Sequence, residues 1–315
     1  MTQRSPDMNC SVARALGQVG DTWTFLVLRA AFLGKRRFSE IQGSLGISRN
    51  RLSERLSHMV ESGLLKEAPY SGARFEYRLT PKSLDLFPAL VLLNAWGERW
   101  LPGEPSATVA LRHRCGRPFD PRAVCTACGK RVKPSEVRYV DGPGAGRSQN
   151  ASVRRTRRST VTAAFQGEQD SPLARALSVV GDKWAFLLLR ELFFGATRFE
   201  EFLSHIGAAR NILTDRLNRL LTNGVIKREP YQTNPIRYDY KLSASGLALY
   251  DPIVALIHWG DTWLAESHGK PLKLMHTRCD HEFSPSLVCG HCGDSVSVHD
   301  VTPLSAPIAE HSLDR

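Results

Sequence analysis

No stretch of this 315-residue chain approaches the roughly 18 consecutive apolar residues that a membrane-spanning helix needs. Its opening residues, MTQRSPDMNC, lack the apolar run at the centre of a secretory signal. The expected location is therefore the cytoplasm, with no membrane partner. There the seven cysteines should stay reduced, so clusters among them point to metal or redox chemistry before structural disulfides. Enzymatic signatures are missing as well. The sequence holds no phosphate-cradling glycine loop, no nucleophile with an attendant base and no pair of carboxylates at a recognisable spacing. These absences argue against an enzyme and leave binding as the function to be explained.

Acidic charge is scarce in one half only. Residues 1–133 carry 21 Lys and Arg against 11 Asp and Glu, residues 134–168 carry 6 against 3, and residues 169–315 carry 15 against 17. The excess of +11 thus resides in the first half and the segment after it. A basic half beside a near-neutral one suggests a polyanion partner, most often nucleic acid, met chiefly by the first half. A merely soluble basic surface is the plain alternative.

The chain repeats itself. VGDTWTFLVLR at 19–29 returns as VGDKWAFLLLR at 180–190, and the likeness runs outward through nearly the whole of each half. RFSEIQGSLGISRNRLSERLSHMVESGLLKEAPY parallels RFEEFLSHIGAARNILTDRLNRLLTNGVIKREPY, FEYRLT parallels YDYKLS, and FPALVLLNAWGERWL parallels DPIVALIHWGDTWL. Between the copies, DGPGAGRSQNASVRRTRRSTVTAAFQGEQD is poor in large apolar residues and reads as a flexible basic linker.

Within a copy, Trp23, Leu26, Val27 and Ala30 have the spacing of a buried helix face, ended by Gly34 or, in the second copy, Gly195. A short helix over RFSEIQGSL follows. The next helix carries an apolar stripe of Leu52, Leu56, Met59 and Val60, with Ser48 as N-cap and Gly63 as stop. LLKEAPYSGARFEYRLT reads as a hairpin. Helix, turn, helix and hairpin in that order describe a winged helix-turn-helix. A final amphipathic helix, Leu84 to Trp100 and Leu247 to Trp263, has more apolar surface than so small a domain needs and suits a dimerisation face. The expected fold is mainly α with small β wings (α+β): winged helices at 1–102 and 169–266, Cys/His zinc-ribbon-like knuckles at 103–137 and 267–302, a linker at 138–168 and a disordered tail at 303–315.

The ordered set of Gly-Asp-x-Trp, RFSEI, RLSERL, the hairpin with FEYRLT and a late Trp-Gly resembles the HxlR-type winged-helix regulators of bacteria, over roughly 10–101 and again 171–264. The resemblance implies double-stranded DNA binding as a dimer and control of nearby genes, often in response to small molecules or electrophiles. Family members are usually single modules, whereas this chain has two, so an intramolecular pseudo-dimer is expected. The reading is a sequence-specific transcriptional repressor. A zinc-ribbon interaction or RNA-binding adaptor is the alternative.

A second helix of this type places its N-terminal residues against base edges, where Arg matches guanine and Asn matches adenine. Arg49, Asn50, Arg51, Ser53 and Arg55 are the candidates in the first copy, and Arg210, Asn211, Thr214 and Arg216 in the second, where Ile212 replaces Arg51. Arg55 and Arg216, beside the apolar stripe, could equally be ordinary helix positions. Arg74 and Arg237, near the hairpin tips, suit phosphate or minor-groove contact. The family's usual Pro before the wing Arg is present as Pro235, while the first copy has SGAR, which leaves the shape of that wing open.

Each copy closes with a small cluster: His113, Cys115, Cys125 and Cys128, then His276, Cys279, Cys289 and Cys292. One His and three Cys supply the four N/S donors of a closed tetrahedral zinc site, which predicts two zinc ions per chain, one within each cluster. A metal-free apolar knuckle and a thiol redox pair are the alternatives, and His281 or His291 could replace the assigned histidine of the second copy. A zinc hydrolase or deaminase would need an open ligand position and a His-x-Glu base, and neither copy has one. Cys10 stands apart, where relatives of this type often carry a Cys and the second copy has Ser171. It is either an electrophile or redox sensor or a half-buried helix-start residue with no cation close by in sequence.

Overall fold

The computed structural model describes residues 9–72, 74–103, 110–146 and 171–304. The first half runs α1 (Ser11–Val19), α2 (Thr22–Phe32), α3 (Phe38–Leu45), α4 (Arg49–Glu61), β1 (Leu65–Ser71), β2 (Arg74–Leu79), α5 (Pro81–Leu84) and α6 (Phe87–Trp100), then β3 (Leu111–His113), β4 (Pro121–Cys125) and β5 (Val137–Asp141). The second repeats the order with α7 (Pro172–Val180), α8 (Lys183–Phe193), α9 (Phe199–Ile206), α10 (Arg210–Thr222), β6 (Ile226–Thr233), β7 (Ile236–Leu242), α11 (Ala244–Ala248) and α12 (Tyr250–Trp263). It closes with β8 (Leu272–His276), β9 (His281–Glu282), β10 (Pro285–Cys289) and β11 (Val301–Pro303). No helix among the described residues is long and apolar enough to cross a membrane.

The helical reading holds in outline, with Val60 of the expected α4 stripe only half-buried. Trp23, Leu26, Val27 and Ala30 are buried, as are Leu52, Leu56 and Met59 of α4. Helix α2 is buried nearly all round, because it packs on its own module and also on α7 of the other. The long closing helices start later than the pattern suggests, at Phe87 and Tyr250, each preceded by a short separate turn. Thr80 and Ser243 cap those turns with their hydroxyls. Pro88 and Pro252 then sit in the first turn of the long helices, where a missing N–H costs little.

The two halves share one core. Val12, Leu16, Leu93 and Trp96 of the first lie in the same apolar cluster as Leu173, Leu177, Ile257 and Trp259 of the second. Helix α1 packs on α12, α7 on α6, and α6 on α12. The repeated Trp-Gly explains how. The Trp96 indole N–H donates to the Ser245 carbonyl at 2.8 Å, and that of Trp259 donates to the Lys82 carbonyl at 2.7 Å. The contact is thus made twice, once in each direction. The glycine that follows each tryptophan admits the other module's first helix: a Cβ on Gly97 would lie 2.1 Å from the Pro172 carbonyl oxygen, and one on Gly260 would lie 2.6 Å from that of Ser11.

The Cys/His segments expected as knuckles at 103–137 and 267–302 pair with each other. Strand β3 pairs with β11, β4 with β10 and β5 with β8, all antiparallel, so every strand of the first Cys/His segment is hydrogen-bonded to one from the second. The linker expected at 138–168 starts later, since β5 runs to Asp141; residues 147–170 lie outside the described residues, as do 305–315 of the expected tail.

Gly97→Ala and Gly260→Ala should each destabilise the protein by about 1–3 kcal/mol through overpacking at the contact between halves. Gly43→Ala on α3, where a Cβ would meet nothing within 4 Å, should be neutral or stabilising by up to about 1 kcal/mol. Equal effects of the three changes in denaturant titration would remove the close-approach argument.

Candidate nucleic-acid interface and metal centres

Helix α4 offers Arg49, Asn50, Arg51 and Ser53 to solvent, while Leu52, Leu56 and Met59 anchor its other side. Ser48 occupies the N-cap, although its hydroxyl makes no capping bond. The Arg49 guanidinium lies 5.8 Å above the Phe38 ring, and that of Arg51 lies 5.8 Å above Trp23. Neither is paired with a carboxylate among the described residues. Arg55 differs. It is turned inward to Asp21, with N···O 3.0 Å, and its counterpart Arg216 pairs with Asp182 at 2.6 Å.

Those two aspartates give the repeated Gly-Asp its physical meaning. Asp21 accepts from the backbone N–H groups of Trp23 and Thr24, and Asp182 from those of Trp184 and Ala185, so each caps a central helix. The same carboxylates hold Arg55, and in the second module both Arg216 and Arg219. In the sequence Arg55 and Arg216 lie on the flank of the apolar stripe, which leaves DNA contact and an ordinary helix position equally open. The Asp–Arg pair at one spacing in both copies was the available signal that these side chains turn inward, joining α4 to the cap of α2 and α10 to that of α8.

The second module's helix, α10, exposes Arg210, Asn211 and Thr214, with Ile212 half-buried against the core. Arg210 is gripped by Glu200 of α9 through both carboxylate oxygens, at 3.0 and 3.1 Å. Glu200 stands where the first module has Ser39, a difference visible in the aligned sequences. The first module therefore carries two uncompensated cations at its helix N-terminus, and the second has one, already neutralised.

Both hairpins lean on their helices through a stacked pair, with the Arg37 guanidinium 4.6 Å above Tyr70 and that of Arg198 4.5 Å above Tyr231. Arg74 and Arg237 are exposed near the tips. The wings differ in length: Ser71 pairs with Arg74 at the first turn, whereas the second wing adds the pair Thr233 with Ile236 beyond Gln232 with Arg237. The first wing is therefore the shorter one.

The eight assigned Cys and His residues do come together in two groups of four, but not in the predicted ones. His113 and Cys115 meet Cys289 and Cys292, while Cys125 and Cys128 meet His276 and Cys279. Each group has its donor atoms within 4.8 Å of one another, and each takes two donors from either half. The expectation of one complete cluster per copy is corrected by the strand pairing, which sets each Cys-x-x-Cys turn against the His-bearing strand of the other copy. His281 and His291 belong to neither group.

The donor sets fit a tetrahedral ion. Zinc bonds of about 2.0–2.3 Å to N and S imply donor-to-donor edges of roughly 3.5 Å. His276 Nδ1 lies 3.6 Å from Cys128 Sγ and 3.2 Å from Cys279 Sγ, and His113 Nδ1 lies 3.5 Å from Cys292 Sγ. Both imidazoles are buried, and their Nε2 atoms have no partner, so the thiol side is where these rings find contact. The backbone N–H of Lys130 draws the Cys128 thiol below its ordinary range, helped by Cys279 and Cys125. At Cys289 burial opposes ionisation, but N–H groups of His291 and Cys292 outweigh it and lower the thiol. One thiol of each Cys-x-x-Cys turn is thus biased toward the thiolate that ligates metal.

Cys10 is placed differently from its sequence surroundings. Arg190 of the second module donates to its sulfur at 2.8 Å, and the same guanidinium pairs with buried Glu191 at 2.6 Å, which in turn meets His205 at 2.9 Å. The cation missing nearby in sequence arrives from the other half. A cavity of about 200 Å³ lies beside the equivalent arginine of the first module, bounded by Arg29, Phe32, Phe87, Leu90, Asn94 and Val301.

The HxlR-like helix-turn-helix family matches residues 18–105 and again 179–268. An uncharacterized HTH-type transcriptional regulator of Mycobacterium tuberculosis is 39% identical over 149 residues, 47% of this chain and 92% of the relative. Another, from Synechocystis, is 34% identical over 103 residues, 32% of this chain and 76% of the relative. Among solved structures, PA1607 is 40% identical with a TM-score of 0.37, covering 39% of this chain and 89% of its own. The redox regulator HypR in its oxidized form is 29% identical with a TM-score of 0.28, over 29% of this chain and 95% of its own. With two matched regions that together span more than half its length, the chain belongs to the HxlR-like helix-turn-helix family and is a DNA-binding transcription regulator in tandem form.

Proposed function

We propose that the chain acts as a repressor that occupies a single composite DNA site with both modules at once, as an intramolecular pseudo-dimer. The observation that carries this reading is the reciprocal docking of α1 on α12 and α7 on α6, sealed by Trp96 and Trp259. A pair of reading helices fixed to one core presents a two-part surface without a second chain, and tethering keeps the second module at an effective concentration near the millimolar range. Repression by occupancy needs nothing further.

Arg49, Asn50, Arg51 and Ser53 read bases in the stronger half-site, with Arg74 on the backbone nearby. Asn211, Thr214 and Arg237 serve the weaker one, where Glu200 competes with DNA for Arg210. Arg55 and Arg216 act as positioning residues through Asp21 and Asp182. Two zinc ions per chain are the cofactors, supported by the two four-donor groups. The cavity beside Arg29 suits a small-molecule effector, and the thiol of Cys10, joined to Arg190, suits an electrophile. The place of action is the cytoplasm, on the nucleoid.

Genome-wide mapping of bound DNA, together with transcript levels after deletion of the gene, tests this directly. Bound sites should be imperfect palindromes with one half better defined, and neighbouring transcripts should rise on deletion. A fully symmetric motif, or transcripts that fall, would overturn the asymmetric-repressor reading. On such a site log K should fall linearly with log salt, with a slope near −0.9 per phosphate neutralised.

Arg49→Ala and Arg51→Ala should each cost about 1–3 kcal/mol for a true base contact and relax specificity in the stronger half-site. Glu200→Ser should tighten binding by freeing Arg210, and only when the weaker half-site is present. Titrations in which all three variants match the parent protein would remove α4 and α10 as the reading helices.

A further inference from the structure

We infer that the two metal sites are clamps shared between the modules, so that metal binding and the docking of one half of the chain on the other form a single equilibrium. The inference rests on the zinc reading above and adds what the ions are for. Its basis is composition: one site takes His113 and Cys115 from the first half and Cys289 and Cys292 from the second, and the other takes Cys125 and Cys128 from the first and His276 and Cys279 from the second. Neither half alone holds more than two of the four donors of either site. An ion bound in one half would be left with two open positions, which a closed tetrahedral site does not tolerate.

The clamps bear on the surface that pairs the modules. Strands β4 and β10, which carry Cys125 and Cys289 at their ends, pair along five residues and pack against α12, with β4 also reaching α6. Buried Cys289 lies in one apolar cluster with Phe87, Val91 and Ala255, and buried Cys125 lies in another with Tyr250 and Val254. Every one of those partners belongs to α6 or α12. Because ligation free energy becomes folding free energy of the segments it joins, loss of an ion loosens the ribbons against the two helices that set the relative placement of α4 and α10. The winged-helix cores lie outside the donor sets and persist. The sites are unequal in access: Cys115 and Cys292 are exposed, whereas the other site has no exposed thiol. A chelator or thiol reagent should therefore empty the first of these sites before the second.

Metal stoichiometry of full-length double variants tests the sharing. Cys115→Ser with Cys292→Ser, one from each half, should remove one ion and leave one. Cys115→Ser with Cys128→Ser, both from the first half, should remove two. The reverse pattern would establish one site per half and overturn the inference. Should the serine variants fail to fold, the donor-preserving pairs Cys115→His with Cys292→His and Cys115→His with Cys128→His are loaded with cobalt. The first should alter the absorption of one site only, the second that of both; the opposite result overturns the sharing.

The clamp itself is tested by DNA binding of the parent chain before and after chelation with the thiols kept reduced. Affinity for a duplex carrying both half-sites should fall about tenfold or more as the avidity of fixed modules is lost, while affinity for a duplex with the stronger half-site alone stays level. Equal loss on both duplexes, or none on either, would overturn it. A parent protein that neither contains nor takes up zinc would bring down the zinc reading first, a result distinct from two ions bound in single-half sets.

Discussion

Everything in this molecule depends on an apolar surface that neither half can cover alone. Helices α6 and α12 are buried along most of their length, with Phe87, Leu90, Leu93 and Trp96 on one and Tyr250, Ile253, Leu256 and Trp259 on the other. Removing apolar surface from water is worth about 25 cal/mol per Å², so covering these faces against each other favours docking of the halves. Docking is directional because the Trp-Gly step is made of two unlike requirements. The indole N–H must find a carbonyl once it is buried, and the backbone beside it must be bare enough for another helix start to approach. The same dipeptide meets both in each half, so the contact is reciprocal.

That pairing explains why other features sit where they do. Asp21 and Asp182 link the buried central helices to α4 and α10, so each of those helices is tied to the core by an ion pair as well as by its loops. The interleaved strands of the Cys/His segments lie across the junction of α6 and α12, which places the donor groups at the seam. Arg190, buried with Glu191 in the second half, reaches Cys10 of the first because α1 has crossed to the other module's side. A buried ion pair of this kind is sensitive to loss of a partner, since an uncompensated charge would remain in the interior.

Much of this was legible in the residues. The duplication, the helix-turn-helix with its wing, the buried stripes and all eight Cys/His donors follow from periodicity, punctuation and repetition. The grouping of the donors did not, for a physical reason: spacing along the chain is the same whether a His-bearing strand meets its own Cys-x-x-Cys turn or the other copy's. Only the strand pairing of β3, β4 and β5 with β11, β10 and β8 decides it. The inward turn of Arg55 was equally hidden, because a residue on the flank of a stripe can serve solvent or a carboxylate brought from another helix. The late starts of α6 and α12 were readable in principle, since Thr80 and Ser243 open a separate capped turn before each helix's early proline.

Fusion of the two copies changes what selection can do with them. In a homodimer any substitution on one reading helix appears on both, and a self-paired surface has to remain compatible with its own image. Here the copies share one core yet differ outside it, and several of the differences lower the positive charge of the second. Arg51 against Ile212, Ser39 against Glu200, and the basic first half against the near-neutral second make the surface around α10 less positive than that around α4. Trp96 with Trp259 and Gly97 with Gly260, which hold the halves together, are kept in both, as are the helix caps Asp21 and Asp182 and the Cys/His groups that draw on both halves. The division follows from energetics. A change at an exposed cation is felt within its own module, whereas a lost seam contact loosens both halves at once.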